Sequence, residues 1–287
     1  MSDFSNILLA TDLDGTFFAR RSGLVARNLA AVERFKAAGG RFTIATGRMH
    51  YTLRPSLGDP AELVNAPAVL CNGAYLYDYA QNRAYSKTFL PASDLRELLE
   101  FLGDYPTVQP RVSAKDSAYA RELSRYVERG ARLFDEGCMK IEPSERWPMD
   151  DCYKIVLLDD VATLVPLRTA LYERFGDRFE NAPSGPSSIE LMPRGVSKGS
   201  GIRLLRAHFA GQGEKLLVIA CGDYENDLTM LAEADLAICP QNACEEAKRL
   251  AHAVLCDHDE GLIGDLIERL ERGELETLSV RKRGCDA

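Results

Sequence analysis

Four short segments carry side chains whose types and spacing could do chemistry. Asp12-Leu13-Asp14-Gly15-Thr16 sets two carboxylates one residue apart. Such neighbours repel unless a cation or a proton intervenes, and Gly15 permits a turn sharp enough to aim both at one point. The same residue types also make an acidic turn with aspartate as a helix cap. Thr46-Gly47-Arg48 offers a hydroxyl and a glycine amide, which suit a phosphate oxygen and equally a β-turn. Val196-Ser197-Lys198-Gly199 opens a helical stretch with a lysine. A lysine there opposes the positive end of the helix dipole and wants an anion nearby, unless it lies on the surface. Gly222-Asp223-Tyr224-Glu225-Asn226-Asp227 gathers oxygen donors, either for a hard cation or as the acidic first turn of a helix.

The flanking sequence says how these segments are positioned. Ile7-Leu8-Leu9-Ala10-Thr11 predicts a strand running into Asp12; residues 24–38 show helical spacing (Leu29, Val32, Phe35) and stop at Gly39-Gly40. Strands are predicted over 41–46 and 68–71, and again over 215–221, 236–239 and 253–256; helices fall over 196–209, 226–234, 245–251 and 261–272. Strand, helix, strand in this rhythm means βαβ units and a parallel sheet. In such a sheet ligands bind beyond the carboxyl ends of the strands, where the first, second and fourth segments lie.

The middle of the chain breaks this rhythm. A hairpin is predicted from Tyr75–Asp78 and Arg83–Ser86, then helices over 92–102, 119–127 and 161–175 and strands over 108–112, 153–158, 178–181 and 188–191. The turn-rich stretch 182–187 separates the last two strands. The reading is a discontinuous core, 1–82 with 187–287, and an inserted α+β domain at 83–186.

Composition excludes several classes. In 287 residues, 46% hydrophobic and 27% charged, no apolar run approaches a membrane span, and the N-terminus lacks the basic and apolar regions of a signal peptide. A cytoplasmic protein is expected. The net charge of −8 argues against nucleic-acid and anionic-lipid partners; the one dense basic run, Arg281-Lys282-Arg283, reads as a solvated tail. Eight scattered cysteines without a C-x-x-C, and four histidines never spaced i, i+4, favour reduced, mostly buried thiols over a zinc site.

Taken together and in order, the four segments resemble the motifs of the haloacid dehalogenase-like (HAD) hydrolase superfamily: Asp12-x-Asp14-Gly15-Thr16, Thr46-Gly47-Arg48, Lys198 and Gly222-Asp223-x-x-Asn226-Asp227. Residues 71–74 resemble the family segment leading to a cap, residues 189–199 the return from it, and residues 259–262 its final loop. Only one helix and one strand fit between Asp14 and Thr46, so the large insert lies between Thr46 and Lys198, as in the Cof-like branch with a C2B-type cap. The fold class implied is α/β: a doubly wound, Rossmann-like parallel-sheet core with an inserted α+β cap domain.

The resemblance also implies a chemistry. Asp12 is the expected nucleophile, forming an aspartyl-phosphate, and Asp14 the general acid and then base. Mg²⁺ is expected on Asp12, Asp223 and the backbone carbonyl of Asp14; Thr46, Gly47, Lys198 and Asn226 are expected to bind phosphate. Thr16 and Asp227 are expected to support this shell, Thr16 by fixing the Asp14 loop. The implied activity is a phosphatase for small phosphorylated metabolites, sugar phosphates favoured, in a monomer or small homo-oligomer. A phosphotransferase or mutase using the same aspartyl-phosphate, and a non-catalytic regulator that binds phosphometabolites, are the alternatives. The motifs touch only the phosphoryl group and the metal, so the leaving group must be read within 83–186, with Lys154 as a first candidate. Glu190, Trp147 and Arg48 are read as structural or surface residues.

Overall fold

The computed structural model describes residues 3–21, 23–131, 137–182 and 187–279. The basic run at 281–283 and most of the turn at 182–187 lie outside them. The chain divides into two compact units. The first comprises Met1–Gly47, Asp59–Tyr85 and Lys198–Ala287; the second comprises Arg48–Gly58 and Ser86–Ser197.

The first unit is built on a five-stranded, all-parallel sheet in the order Ala253–Leu255, Leu236–Pro240, Leu217–Cys221, Ile7–Thr11, Arg41–Ile44. Every residue of Ile7–Thr11 is buried, as expected of a strand covered on both faces. Leu8 and Ala10, with Val218, Ala220, Ala237 and Cys239, pack against Ile202, Leu205 and Phe209 of the helix Lys198–Ala210 and against Met230 and Leu231. The helices Ala26–Ala37 and Leu262–Glu271 pack together, joined by Arg27, whose Nε lies 3.0 Å from Glu268 Oε1, and by Asn28, which accepts from the Gly264 N–H at 2.8 Å. A parallel sheet in this strand order with helices packed on it is the doubly wound α/β core.

The second unit holds a six-stranded sheet in the order Met139–Ile141, Ala118–Ala120, Gln109–Ala114, Cys152–Leu158, Ser188–Pro193, Phe179–Ala182. Its pairings are antiparallel except between Met139–Ile141 and Ala118–Ala120. Ile155, Leu157, Val112, Ile189 and Leu191 form one core with the helices Ala92–Phe101 and Val161–Phe175. The Asp160 side chain caps the latter helix, accepting the Thr163 N–H at 2.9 Å. The opposite side of the central strand carries Val156 and Leu158 with Ala120 and Val127, and Lys154 in a buried ion pair with Glu190 at 2.8 Å.

Three local expectations differ from this architecture. The helix expected over 119–127 is a strand, Ala118–Ala120, followed by a helix, Arg125–Ala131. The Ala114 N–H donates to the Ser117 carbonyl at 2.9 Å, turning the chain back onto the preceding strand. The second unit also runs to Ser197, beyond the expected return at 187, because Ser188–Pro193 is paired on both sides within its sheet. It includes Arg48–Gly58 as well, and Tyr51 Oη donates to the Ala114 carbonyl at 3.1 Å. Trp147 is buried, with Nε1 donating to the Glu142 carbonyl at 3.0 Å. The described cysteines are all free thiols. Among the described residues no helix is long and apolar enough to cross a membrane.

Candidate active site

The site lies wholly in the first unit. The central strand Ile7–Thr11 delivers Asp12, whose N–H continues the ladder to the Cys221 carbonyl at 2.9 Å. The chain then folds over the Leu13 carbonyl, which accepts from the Phe17 and Phe18 N–H groups at 3.0 and 2.9 Å. Gly15, at φ +89°, faces the Asp223 carboxylate so closely that any Cβ would collide with it. Its carbonyl accepts from Asn242 Nδ2 at 2.8 Å.

Lys198 is the first residue of its helix and is buried, with Nζ 2.6 Å from Asp12 Oδ1 and 2.6 Å from Asp227 Oδ1. Asp227 Oδ2 accepts from the backbone N–H groups of Asp223 at 2.9 Å and Tyr224 at 3.1 Å. Both oxygens of Asp227 are thus engaged in holding the lysine and the loop. A Cβ on Gly222 would stand 2.5 Å from that of Asp227, so this close approach requires glycine. Asp223 Oδ1 accepts from Thr16 Oγ1 at 2.8 Å; Thr16 therefore fastens the loop through Asp223.

Carboxylate oxygens of Asp12, Asp223 and Asp227 all lie within 4.8 Å of one another. Burial pushes the Asp12 carboxyl well above its usual range; Lys198 opposes this, and the other aspartates add to it. Burial, reinforced by Asp227, pushes Asp223 up to about 6, against the pull of Thr16, Lys198 and His258. Lys198 is held above the usual lysine range: burial favours its neutral form, but Asp12 and Asp227 outweigh that. The cluster therefore has more buried negative charge than one ammonium balances. An all-oxygen donor set of this kind fits a hard divalent cation. The third carboxylate of the cluster is Asp227 rather than Asp14, whose residue is exposed.

The remaining segments converge through backbone bonds. Thr46 is buried; its N–H donates to the Val69 carbonyl and its carbonyl accepts from the Asn72 N–H, each at 2.9 Å. Asn226 Nδ2 donates to Asn72 Oδ1 at 3.4 Å. Arg48 belongs to the second unit and donates to Ser56 Oγ at 2.8 Å. Three residues here were not singled out from sequence. Asn72 bridges toward Asn226. Asn242 holds Gly15 and also accepts from the His258 N–H at 3.1 Å. The buried His258 ring lies 2.7 Å from the Phe18 carbonyl. Asn72 lies within the segment 71–74 that carries part of the family resemblance, which gives it no role of its own; the signal for Asn242 is positional, just after the strand end at Pro240.

A family profile for haloacid dehalogenase-like hydrolases matches residues 9–267. The chain belongs to the haloacid dehalogenase-like hydrolase family. Within it, the chain is Cof-like. A pyridoxal phosphate phosphatase of Escherichia coli K12 is 25% identical over 273 residues, covering 91% of this chain and 97% of that protein. A 5-amino-6-(5-phospho-D-ribitylamino)uracil phosphatase of the same organism is 27% identical over 240 residues, covering 82% and 85%. Among solved structures, a haloacid dehalogenase-like hydrolase from Bacteroides thetaiotaomicron superimposes with a TM-score of 0.81 at 23% identity, covering 92% of this chain and 99% of that one. The architecture of this family member is therefore that of known HAD folds, and it is an enzyme of the hydrolase class.

Proposed function

We propose that this HAD hydrolase is a Mg²⁺-dependent phosphatase of small phosphorylated metabolites, sugar phosphates foremost, acting through an aspartyl-phosphate on Asp12. The observation that carries the reading is the buried Asp12 carboxylate, held at 2.6 Å by Lys198 within an acidic cluster. The relatives named as phosphatases of pyridoxal phosphate and of a phosphorylated ribitylaminouracil support the substrate class.

In this mechanism Asp12, Asp223 and the Asp14 carbonyl hold the cation, which when bound screens the repulsion between the carboxylate nucleophile and the phosphate dianion. An Asp12 carboxylate oxygen forms a bond to phosphorus as the ester oxygen departs with a proton from the Asp14 carboxyl. Asp14, now ionised, takes a proton from water as its oxygen attacks phosphorus, releasing inorganic phosphate and freeing Asp12. Lys198 offsets negative charge between Asp12 and the phosphoryl oxygens. The Thr46 hydroxyl, the Gly47 amide and the Asn226 carboxamide orient those oxygens. Asp227 keeps Lys198 aimed.

None of these residues comes from the second unit, which makes residues 83–186 the part proposed to select the leaving alcohol. Exchanging this segment for that of a related phosphatase should change the ranking of kcat/KM over a metabolite panel while Mg²⁺ dependence stays. The intermediate is tested by acid-quenching turnover and mapping phosphate by mass spectrometry. Label on the peptide containing Asp12 is expected; turnover with label elsewhere, or none, would overturn the mechanism.

A further inference from the structure

The turn after strand Ala68–Leu70 is strained in a way the mechanism above does not use. Cys71 (φ +50°), Asn72 (φ +51°) and Gly73 (φ +99°) follow one another with positive φ. Two of the three are not glycine, and a side chain is strained in this region of backbone conformation. Asparagine tolerates this region better than most side chains, but glycine would tolerate it better still. The backbone alone therefore does not call for Asn72; what its side chain touches does.

Asn72 is buried at 2% exposure. Its Oδ1 accepts from Asn226 Nδ2 at 3.4 Å. Its carboxamide also packs closely on Gly47: a Cβ built there would come 3.1 Å from Oδ1 and 3.3 Å from Nδ2. Its N–H donates to the Thr46 carbonyl at 2.9 Å. The turn is further clamped by the helix Lys198–Ala210, where a Cβ on Gly201 would meet Gly73 Cα at 3.3 Å. One side chain thus joins the strand end carrying Thr46 and Gly47 to the loop carrying Asn226.

We infer that Asn72 is a positioning residue for the phosphoryl group, fixing the Asn226 carboxamide and the Gly47 amide as a preformed pair of donors. This rests on the phosphatase reading for the identity of the ligand. Positioning of this kind works because donors already in place need no reorganisation when charge arrives. Asn72 acts through Asn226 and Gly47, so its effect must depend on their presence.

The test compares wild type with Asn72→Gly, which relieves the backbone and deletes the carboxamide. The readouts are the inhibition or thermal-shift affinity for inorganic phosphate, kcat on p-nitrophenyl phosphate, and the Tm gain from Mg²⁺. Expected are a phosphate affinity about tenfold weaker, the equivalent of one well-placed interaction, and an unchanged Mg²⁺ gain. The double variant Asn72→Gly/Asn226→Ala should lose less than the product of the single losses. A phosphate affinity within twofold of wild type, or losses that multiply, would overturn the inference. Should Asn72→Gly fail to fold, Asn72→Asp replaces it; its carboxylate still accepts from Asn226 but repels phosphate, so weakening beyond tenfold is expected, and an unchanged affinity overturns. Wild type that binds phosphate without hydrolysing the ester overturns the phosphatase reading alone. Wild type that binds no phosphate overturns both.

Discussion

Lys198 Nζ stands 2.6 Å from Asp12 Oδ1, a contact between residues 186 positions apart. The pair is buried, and its ammonium is shared with Asp227. Asp12→Asn removes a buried charge whose ionised form burial already opposes. We expect kcat to fall by at least roughly 10³-fold with no loss of metal-free Tm. More than a tenth of wild-type kcat would refute the nucleophile assignment. Lys198→Met instead strands two carboxylates, and urea unfolding should show a loss of about 3–5 kcal/mol. A loss below about 1 kcal/mol would contradict the charge balance described.

A metal-ligand role for Asp223 ties ion binding to pH in a testable way. Its carboxyl is raised from an ordinary 3.8 to about 6, so the folded state holds this proton more tightly than the unfolded state. Its contribution to metal-free stability therefore declines as pH rises from 3.8 through about 6. A divalent ion needs the ionised form, so the Tm gain from Mg²⁺ should be larger well above pH 6 than below it. Thermal scans with and without Mg²⁺ check this; an equal or larger gain at acid pH would contradict it. EDTA should abolish turnover and Mg²⁺ restore it, while Ca²⁺ should bind yet support little turnover, because its looser coordination spoils in-line geometry.

Gly15 and Gly23 separate strain from collision. Both have positive φ, +89° and +70°, but open space surrounds Gly23 while Gly15 faces Asp223. Gly23→Ala should cost about 1 kcal/mol and leave Mg²⁺ affinity unchanged. Gly15→Ala should cost more and weaken Mg²⁺ binding at least about tenfold, since the methyl displaces the Asp223 carboxylate proposed to hold the ion. Equal metal affinities in the two variants would count against Asp223 as a ligand.

Lys154 and Glu190 form a buried pair on the sheet of the second unit. Glu190→Leu alone should destabilise by about 3 kcal/mol or more, because it leaves a buried ammonium without its carboxylate. The double variant Lys154→Met/Glu190→Leu should recover only part of that loss, because the buried Arg111 guanidinium also loses the Glu190 charge. Additive losses in chemical denaturation would show that the two side chains are not energetically a pair.

Much of the core was legible because its chemistry is local. Asp12, Asp14 and Thr16 sit within five residues, and the parallel strands behind them are apolar runs whose period is hard to mistake. What sequence hid is what tertiary contact creates. Asn242 reaches the Gly15 carbonyl across 227 positions, and the Asn72 side chain meets Asn226 across 154. Residues 119 and 120 read as helix by spacing alone, yet pairing of Ala118–Ala120 with Arg111–Ser113 makes them strand. The apolar run 188–193 belongs to a sheet with neighbours on both sides, a pairing that the run itself does not report.

The strand order has a consequence for biosynthesis. Ile7–Thr11 pairs on one side with Arg41–Ile44, made soon after it, and on the other with Leu217–Cys221, made long after it. A nascent chain released up to Ser197 has the continuous stretch 86–197 of the second unit in hand, but its first strand still lacks a neighbour. Until Leu217 emerges, an apolar strand presents an open edge of unpaired amides and carbonyls, the kind of surface that recruits chaperones or aggregates. Ribosome-stalled chains ending before Leu217 should therefore show a core sensitive to pulse proteolysis and a protected 86–197 segment. Vectorial synthesis, rather than the catalytic centre, would then set the step at which this protein is most vulnerable.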